Sequence, residues 1–240
     1  MVLSPNSFEY RLFFILTVIV LITKAVLSIF LAKKILDKKK REGSMKFDFI
    51  FSVFILMVGL FISRLLYTYF DFFLTQFDND LYWRMPNVLV WKLGGLAAGI
   101  GFIFVLFIID KKVLKFKLKG SLAIIYAIAM SIQFLYPVNS LEDFQFISTI
   151  GFYFNFIALI IPVIFFYIGI KIPGLRRTSF LIAFAVIIYG IGGSLASESL
   201  IAPFATIFGP DIRIIFFLLF LVFKLVGLSL LTQNVTKFNI

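Results

Sequence analysis

The chain has 240 residues, of which 62% are hydrophobic and 15% charged, and its mean hydropathy is +1.08. Soluble domains are about half apolar and about a quarter charged, so this composition excludes a water-soluble fold and predicts a single integral membrane domain over 1–240. Cysteine and histidine are absent, which excludes disulfides, thiolate nucleophiles, histidine catalysis and the usual zinc, haem and iron–sulfur ligands.

Seven apolar stretches approach or exceed the roughly 20 residues that a membrane-crossing helix needs. They lie at 10–32, 47–70, 87–109, 121–136, 147–170, 179–201 and 212–232. The segments between them are short, which leaves no room for an appended soluble domain. The sequence therefore predicts an all-α, seven-helix transmembrane bundle in the plasma membrane.

Basic residues predict how the bundle is oriented. The segments after the first, third and fifth spans, with the C-terminal tail, carry 16 Lys and Arg residues, whereas the other side carries Arg11, Arg84 and Arg213. Positive residues favour the cytoplasmic side, so we expect the N-terminus outside and the C-terminus in the cytoplasm. The basic segments face anionic lipid headgroups, which explains the formal charge of +11 without nucleic acid. A protein partner is not identified.

Ionisable residues inside predicted spans are costly to bury, and they are therefore candidates for function. The outer set combines cations and anions at similar depth, with three neighbouring residues around it. The set is Arg64, Asp71, Lys92 and Glu198, ringed by Tyr67, Trp91 and Ser194. One interpretation is an outward-facing pocket for a small molecule or lipid; the alternative is a structural network of ion pairs.

Two further lysines, Lys24 and Lys224, fall in the first and seventh spans without an acidic residue at their depth. One interpretation is that both extend toward the cytoplasmic headgroups; the alternative is that burial deprotonates them. The run 223–227 resembles the retinal-bearing region of microbial rhodopsins, but Phe220 stands where pumping rhodopsins carry an aspartate. We therefore expect no cofactor and no metal, and Lys224 would bind a cofactor only if a covalent one existed.

Helices 1–3 and 5–7 are candidates for parallel repeats. Lys92 and Lys224 begin similar runs at an offset of 132, and Gly59 and Gly190 match at an offset of 131. Parallel repeats occur in transporters, although short matches between apolar helices also arise by chance.

No catalytic motif appears, so we expect no enzyme. Three functions remain: a receptor or sensor-like protein, a small transporter or channel built from the two repeats, and a non-catalytic membrane subunit. A transporter needs polar residues through the whole membrane. The apolar gap between the outer set and the two lysines favours the sensor-like function.

Overall fold

A computed structural model of the protein describes residues 7–45, 47–155, 159–196, 198–209 and 211–238. Every α-helix in that part of the chain runs between the following bounds. They are α1 (Phe8–Glu42), α2 (Phe49–Tyr69), α3 (Asn87–Ile108), α4 (Ser121–Leu135), α5 (Leu141–Asn155), α6 (Ile160–Lys171), α7 (Arg176–Ser194), α8 (Glu198–Phe208) and α9 (Ile212–Val235). The described residues contain no β-strand.

Five of the described helical segments are long and apolar enough to cross a membrane. They are Phe8–Glu42, Phe49–Leu74, Asn87–Val113, Pro173–Ser194 and Ile212–Val235. Ser121–Leu135 and Ile160–Lys171 are apolar but shorter. The predicted all-helical, membrane-protein class is confirmed, whereas the predicted count of seven spans is not.

The predicted fifth span, 147–170, falls on two helices, α5 and α6. Residues 156–158 between them lie outside the described residues. α5 begins before the predicted span because Ser140 and Asp143 cap its first turn. The Ser140 hydroxyl accepts the Asp143 N–H at 3.2 Å, and the Asp143 carboxylate accepts the Ser140 N–H at 3.1 Å.

The predicted sixth span, 179–201, is also interrupted. α7 ends at Ser194 and α8 begins at Glu198. Three glycines, Gly190, Gly192 and Gly193, precede the end of α7, and glycine weakens a helix because it loses the most backbone freedom on folding.

α1 extends well beyond the predicted end of the first span. Its last turns contain Lys and Arg, which are good helix formers, and Gly43 ends it in the left-handed conformation (φ 72°) with its N–H bonded to the Lys39 carbonyl. At about 1.5 Å per residue α1 is longer than a hydrocarbon layer of about 30 Å. Its basic turns therefore extend past that layer.

Glycine brings α2 and α3 into backbone contact as an antiparallel pair. A Cβ atom at Gly59 would collide with the carbonyl group of Ala97, and one at Gly101 would lie 2.6 Å from the Cα of Leu56. Small residues permit such close approach between membrane helices. Any larger side chain at either glycine would separate the two helices.

The antiparallel pair α7 and α9 is built in the same way. A Cβ atom at Gly227 would lie 2.7 Å from the backbone nitrogen of Tyr189, and one at Gly192 would lie 3.0 Å from the Cβ of Phe223. The two pairs, α2–α3 and α7–α9, are the most extensive helix contacts in the described structure.

α1 lies between these pairs, antiparallel to α2 and parallel to α9. Near its start, the ring of Phe13 lies 5.7 Å from that of Phe72 after α2 and stacks at 4.4 Å on that of Phe217 near the start of α9. Near its end, Lys38 forms a salt bridge of 2.6 Å with Asp48, which precedes α2.

The remaining contacts place the chain reversals at two ends of the bundle. Phe165 of α6 packs at 5.4 Å on Phe49, where α2 starts, and at 5.2 Å on Phe238, which follows α9. α1, α3, α6 and α9 thus end where α2, α4 and α7 begin. We call this the basic end, because it carries the basic segments 33–46, 111–119 and 171–177; the other is the opposite end.

The largest apolar core fills the half of the bundle toward the basic end. It includes the fully buried side chains Met57, Ile109, Phe165, Ile182 and Leu228. A second cluster joins α1, α8 and α9 at the opposite end. Within a bilayer these contacts stabilise the bundle by close packing rather than by exclusion of water.

Candidate functional site

Lys24 lies in the apolar middle of α1 and is 4% exposed. Its Nζ donates a hydrogen bond of 2.9 Å to the carbonyl oxygen of Leu60 in α2. The same Nζ lies 5.9 Å from the centroid of the Tyr189 ring in α7. An ammonium group has three donors, and the described residues supply one hydrogen-bond acceptor for them. Lys24 thus places a basic amino group with spare hydrogen-bond donors inside the bundle.

Arg64 of α2 lies about one turn further toward the opposite end. Its Nη2 donates a hydrogen bond of 2.8 Å to the hydroxyl of Thr17 in α1. The guanidinium lies 5.9 Å from the ring centroid of Phe13 and 5.4 Å from that of Phe220, distances at which an aromatic ring attracts a cation. Its Nε is buried and has no hydrogen-bond partner among the described residues.

Lys224 reaches the same region from α9. Its Nζ donates a hydrogen bond of 2.9 Å to the carbonyl oxygen of Tyr189 and lies 3.6 Å from the centroid of the Tyr189 ring. The Tyr189 ring therefore lies near the amino groups of both Lys24 and Lys224. We call Lys24, Arg64 and Lys224 the interior cationic cluster.

Acidic partners do not neutralise this cluster by direct contact. No carboxylate of a described side chain lies within 4.0 Å of any of its three members. Lys224 and Arg64 disfavour a charge on Lys24, Arg64 disfavours a charge on Lys224, and Asp71, which lies beyond 4.0 Å, favours the charge on Arg64. Buried cations without a paired anion are destabilising. The arrangement is suited to an anion that brings acceptor oxygens to all three cations.

Asp71 occupies a recurring backbone position. α2 continues into a π-helical turn, Phe70–Leu74, and α3 into another, Ile109–Val113, and the second residue of each turn is an aspartate. In each turn the backbone carbonyl of that aspartate accepts the N–H of a later phenylalanine with a positive φ, Phe77 or Phe116.

The carboxylates of the two turns differ in their partners. The Asp110 carboxylate accepts the N–H groups of Leu118 and Gly120 at 3.0 and 2.6 Å. No described N–H group bonds to the Asp71 carboxylate in this way. Asp110 therefore has a structural role in its loop, whereas the charge of Asp71 stays available to Arg64.

Two members of the predicted outer pocket lie in another part of the opposite end. Lys92 Nζ donates a hydrogen bond to the carbonyl oxygen of Tyr136, at the end of α4. The ring of Trp91 packs at 5.0 Å on that of Phe144 in α5. Both residues thus join α3 to α4 and α5 rather than lining a pocket around Arg64.

The other predicted pocket residues are distributed as follows. Tyr67 lies against α3, with a ring atom 3.0 Å from the position of a Cβ at Gly94. Ser194 is exposed at the end of α7. Glu198 begins α8, but its side chain lies outside the described residues, so the predicted pairing of Glu198 with Arg64 stays a prediction.

The interpretation of Lys24 and Lys224 as lysines that extend to the cytoplasmic headgroups is wrong. Each ammonium group donates to a backbone carbonyl inside the bundle, that of Leu60 or that of Tyr189. The apolar core between the cluster and the basic end blocks extension in that direction. The inner lysines and the outer Arg64 belong to one cluster rather than to two.

Two contacts of the cluster were not predicted from the sequence. Thr17 had a usable signal, because its spacing of seven residues from Lys24 places both on one stripe of α1. Tyr189 had none, since the α7 residue that faces α1 depends on how the helices pack. Among the described residues, no three His, Cys, Asp or Glu side chains form a group that could hold a metal ion.

Comparisons of the chain with protein-family models, with curated proteins and with solved structures find no match.

Proposed function

We propose that the chain crosses the membrane seven times, with the N-terminus outside and the C-terminus in the cytoplasm. The alternation of helix directions supports this count if α4 makes the fourth crossing and α5 and α6 share the fifth. The basic segments at one end support the orientation and favour contact of that end with anionic lipid headgroups.

We further propose that the protein is a receptor or sensor-like membrane protein that binds an anion at the interior cationic cluster. The observation that carries this proposal is the meeting of three basic side chains inside the bundle without a described carboxylate in contact. Ionisable groups inside a membrane are expensive, and they persist where they bind or sense something. Hydrogen bonds to charged groups are also the strong ones.

The apolar core favours a sensor over a transporter, the second candidate function. Toward the basic end, the helices pack through fully buried side chains such as Met57 and Phe165. A transporter needs a polar route to both sides. The parallel-repeat hypothesis also lacks support from the glycine contacts. Gly59 meets Ala97, whereas the matching Gly190 has no described atom within 4 Å of its Cβ position.

The test uses the absence of cysteine, which allows one introduced cysteine to carry a dye. Ser44→Cys, exposed at the basic end, is labelled with bimane, and the protein is reconstituted in phosphatidylcholine nanodiscs. Sodium phosphate and sodium laurate are titrated separately. We expect a saturable fluorescence change with at least one of them. The change should disappear in Arg64→Gln and persist in the control Lys92→Gln, because Lys92 bonds outside the cluster.

An identical response in Arg64→Gln would refute the proposed site, and so would the lack of any saturable response. Flux distinguishes the two candidate functions. Proteoliposomes that accumulate radiolabelled phosphate or laurate only when they contain the protein would establish the transporter instead.

A further inference from the structure

A cavity of about 280 Å³ opens between the last turns of α3 and the start of α4, at the basic end of the bundle. Its apolar walls come from both helices and include Phe104, Phe107, Gly120, Ile124 and Ala127. Residue 120 has no side chain, and a Cβ atom there would lie 3.7 Å from the ring of Phe107. We call this cavity the α3–α4 groove.

The α3–α4 groove is open on the outside of the bundle. Phe104, Phe107 and Ile124 line it and are 40%, 39% and 56% exposed. A second cavity, of about 590 Å³, shares Ile124 and Ala127 with the groove and continues along α4 to its far end. The 15 residues of α4 rise about 22 Å, which exceeds the roughly 15 Å depth of hydrocarbon in one leaflet. The two cavities together can therefore hold a lipid chain along its length.

Lysines surround the mouth of the groove. Lys119 lines the groove itself, and the Nζ of Lys111 lies 5.9 Å from the centroid of the Phe107 ring. None of the five lysines in the segment 111–119 forms a salt bridge with a described carboxylate. The mouth thus carries positive charge that no acidic side chain in the described structure pairs.

The same segment alternates basic and apolar residues. Residues 115–119 read Lys-Phe-Lys-Leu-Lys, and Phe116 and Leu118 are 45% and 40% exposed. Such a pattern fits a membrane interface, where apolar side chains enter the acyl region and lysines stay with the head groups. Asp110 is 1% exposed and accepts the N–H groups of Leu118 and Gly120, so its carboxylate holds the segment in place rather than pairing with the lysines.

We infer that the α3–α4 groove binds one phospholipid with an anionic head group. Its phosphate lies beside Lys111 and Lys119, and an acyl chain follows Phe107, Ile124 and Ala127 along α4. The inference rests on the part of the proposed function that brings the basic end into contact with anionic head groups, and it names the site of that contact. It does not depend on the anion site at the interior cationic cluster.

Charge favours a lipid over a second copy of the chain as the occupant. A second copy packed symmetrically on this face, with the same orientation in the membrane, would bring its own five lysines against these five. An anionic phospholipid instead places negative charge at the lysines and hydrocarbon along the apolar walls.

The test is a lipid titration followed by native mass spectrometry of the protein in neutral detergent. Dioleoyl phosphatidylglycerol and dioleoyl phosphatidylcholine are compared, because they have the same acyl chains and differ in head-group charge. Each lysine near an anionic lipid surface strengthens binding by about fivefold. We therefore expect the first phosphatidylglycerol to bind at least tenfold more tightly than the first phosphatidylcholine.

The first pair of variants tests the head-group contact. The double variant Lys111→Gln, Lys119→Gln should lose most of the preference for phosphatidylglycerol. The matched double variant Lys39→Gln, Lys40→Gln removes two exposed lysines at the end of α1 and should change the preference less than twofold.

The second pair tests the acyl contact. Ala127→Phe fills the groove and should weaken binding of both lipids by a similar factor, at least fivefold. Val163→Phe, on the exposed surface of α6, should change neither by more than twofold. Ser131→Phe, in the continuation of the groove along α4, replaces Ala127→Phe if that variant does not fold.

The outcomes separate this inference from the proposed function. Equal losses in the two lysine double variants would overturn the groove and leave the general contact with anionic head groups intact. The absence of any preference for phosphatidylglycerol would overturn both. Loss of binding in Arg64→Gln would assign the lipid to the interior cluster instead of the groove. A lipid-free dimer that Ala127→Phe dissociates would assign this face to a second copy.

Discussion

At the scale of single residues, the main feature is the free energy that it costs to bury the interior cationic cluster. Lys24, Arg64 and Lys224 are held by two backbone carbonyls, one hydroxyl and aromatic faces. These contacts satisfy some donors but supply no negative charge. A cluster of this kind lowers the stability of the empty bundle; the first prediction measures that cost, and the second measures a hydrogen bond that offsets part of it.

Replacing Lys24 by methionine should stabilise the protein. The change removes a buried amino group whose charged form is disfavoured by burial, by Lys224 and by Arg64, and it keeps an unbranched side chain of similar length. Replacement of buried ions by apolar residues is often neutral or stabilising by about 1–4 kcal/mol. We expect Lys24→Met to raise the free energy of unfolding, measured by titration with dodecyl sulfate in mixed micelles. Lys92→Met is the control, and a large loss of stability in Lys24→Met alone would contradict the prediction.

The bond between Arg64 and Thr17 should appear as a coupling energy. Hydrogen bonds to charged groups contribute about 1.5–3 kcal/mol, and a double-mutant cycle isolates that contribution. Stabilities of Thr17→Val, Arg64→Leu and the double variant are measured in the same micelles. We expect the two single losses to exceed the loss in the double variant by about that amount. Strictly additive losses would show that the two side chains do not interact.

At the scale of elements, α2 and α3 both end in a π-helical turn that contains an aspartate, but the two aspartates have different partners. The loop after α3 contains Lys115, Phe116 and Lys119 with positive φ, a conformation that is unfavourable for residues with a side chain. The Asp110 carboxylate stabilises that loop through two N–H groups. Asp71 has the same position after α2 without this role.

Alanine at these two positions should therefore have unequal effects. Asp110→Ala leaves the buried N–H group of Gly120 and the partly buried one of Leu118 without their acceptor, and losing the acceptor of a buried donor costs about 1–3 kcal/mol. We expect Asp110→Ala to destabilise the protein by at least about 2 kcal/mol and Asp71→Ala by clearly less. Thermal unfolding of both purified variants measures the difference, and equal losses would refute the distinction between the two turns.

The start of α5 should depend on its cap and on pH. Hydrogen bonds from the N–H groups of Asn139 and Ser140 lower the pKa of the Asp143 carboxyl. A carboxyl whose pKa is lower in the folded state stabilises it above the unfolded pKa, near 4, and loses that effect as the pH falls through the folded pKa. Protection factors at 141–144, which are corrected for the intrinsic exchange rate at each pH, should fall in Ser140→Ala at neutral pH and in the unchanged protein below about pH 4. Exchange that is insensitive to both changes would contradict the capping role.

The sequence predicted the elements better than the site. Hydropathy located the apolar helices because lipid imposes one strong rule on length and composition. It missed the early start of α5, since Ser140 and Asp143 act through a local cap, and the end of α7, where glycines weaken the helix within an apolar run. Hydropathy assigned Arg64 and Lys24 to different depths in the membrane. Their relative depth depends on the register between α1 and α2, and the hydrogen bond of Lys24 to Leu60 shows that register.

At the scale of the whole molecule, the bundle has three zones along its axis: the basic end, the apolar core and the region of the cationic cluster. Its basic end carries the long tail of α1 and the basic loops, and an apolar core separates that end from the cationic cluster. The cluster itself joins the half formed by α1–α3 to the half formed by α7 and α9.

Accessibility of introduced cysteines tests the proposed orientation. Ser44→Cys at the basic end and Asn139→Cys at the opposite end are both exposed in a chain without cysteine. In intact cells, a membrane-impermeant maleimide should label Asn139→Cys at once and Ser44→Cys only after permeabilisation. Labelling in the reverse order would show the opposite orientation. Labelling of both residues in intact cells would show that the two ends lie on the same side of the membrane.

The glycine contacts have a mechanical consequence. Gly59 and Gly101 allow close backbone packing of α2 on α3, and Gly227 allows the same for α9 on α7. We therefore expect each pair to move as a rigid unit. Arg64 belongs to the first unit, which also accepts the hydrogen bond of Lys24 from α1, and Lys224 belongs to the second, so basic side chains lie on both sides of the joint between the units. Repulsion between the basic side chains pushes the two units apart when the site is empty. An anion that bridges the joint removes this repulsion. The spacing between the two units, measured by spin labels on α3 and α9, should therefore shorten as the joint is neutralised.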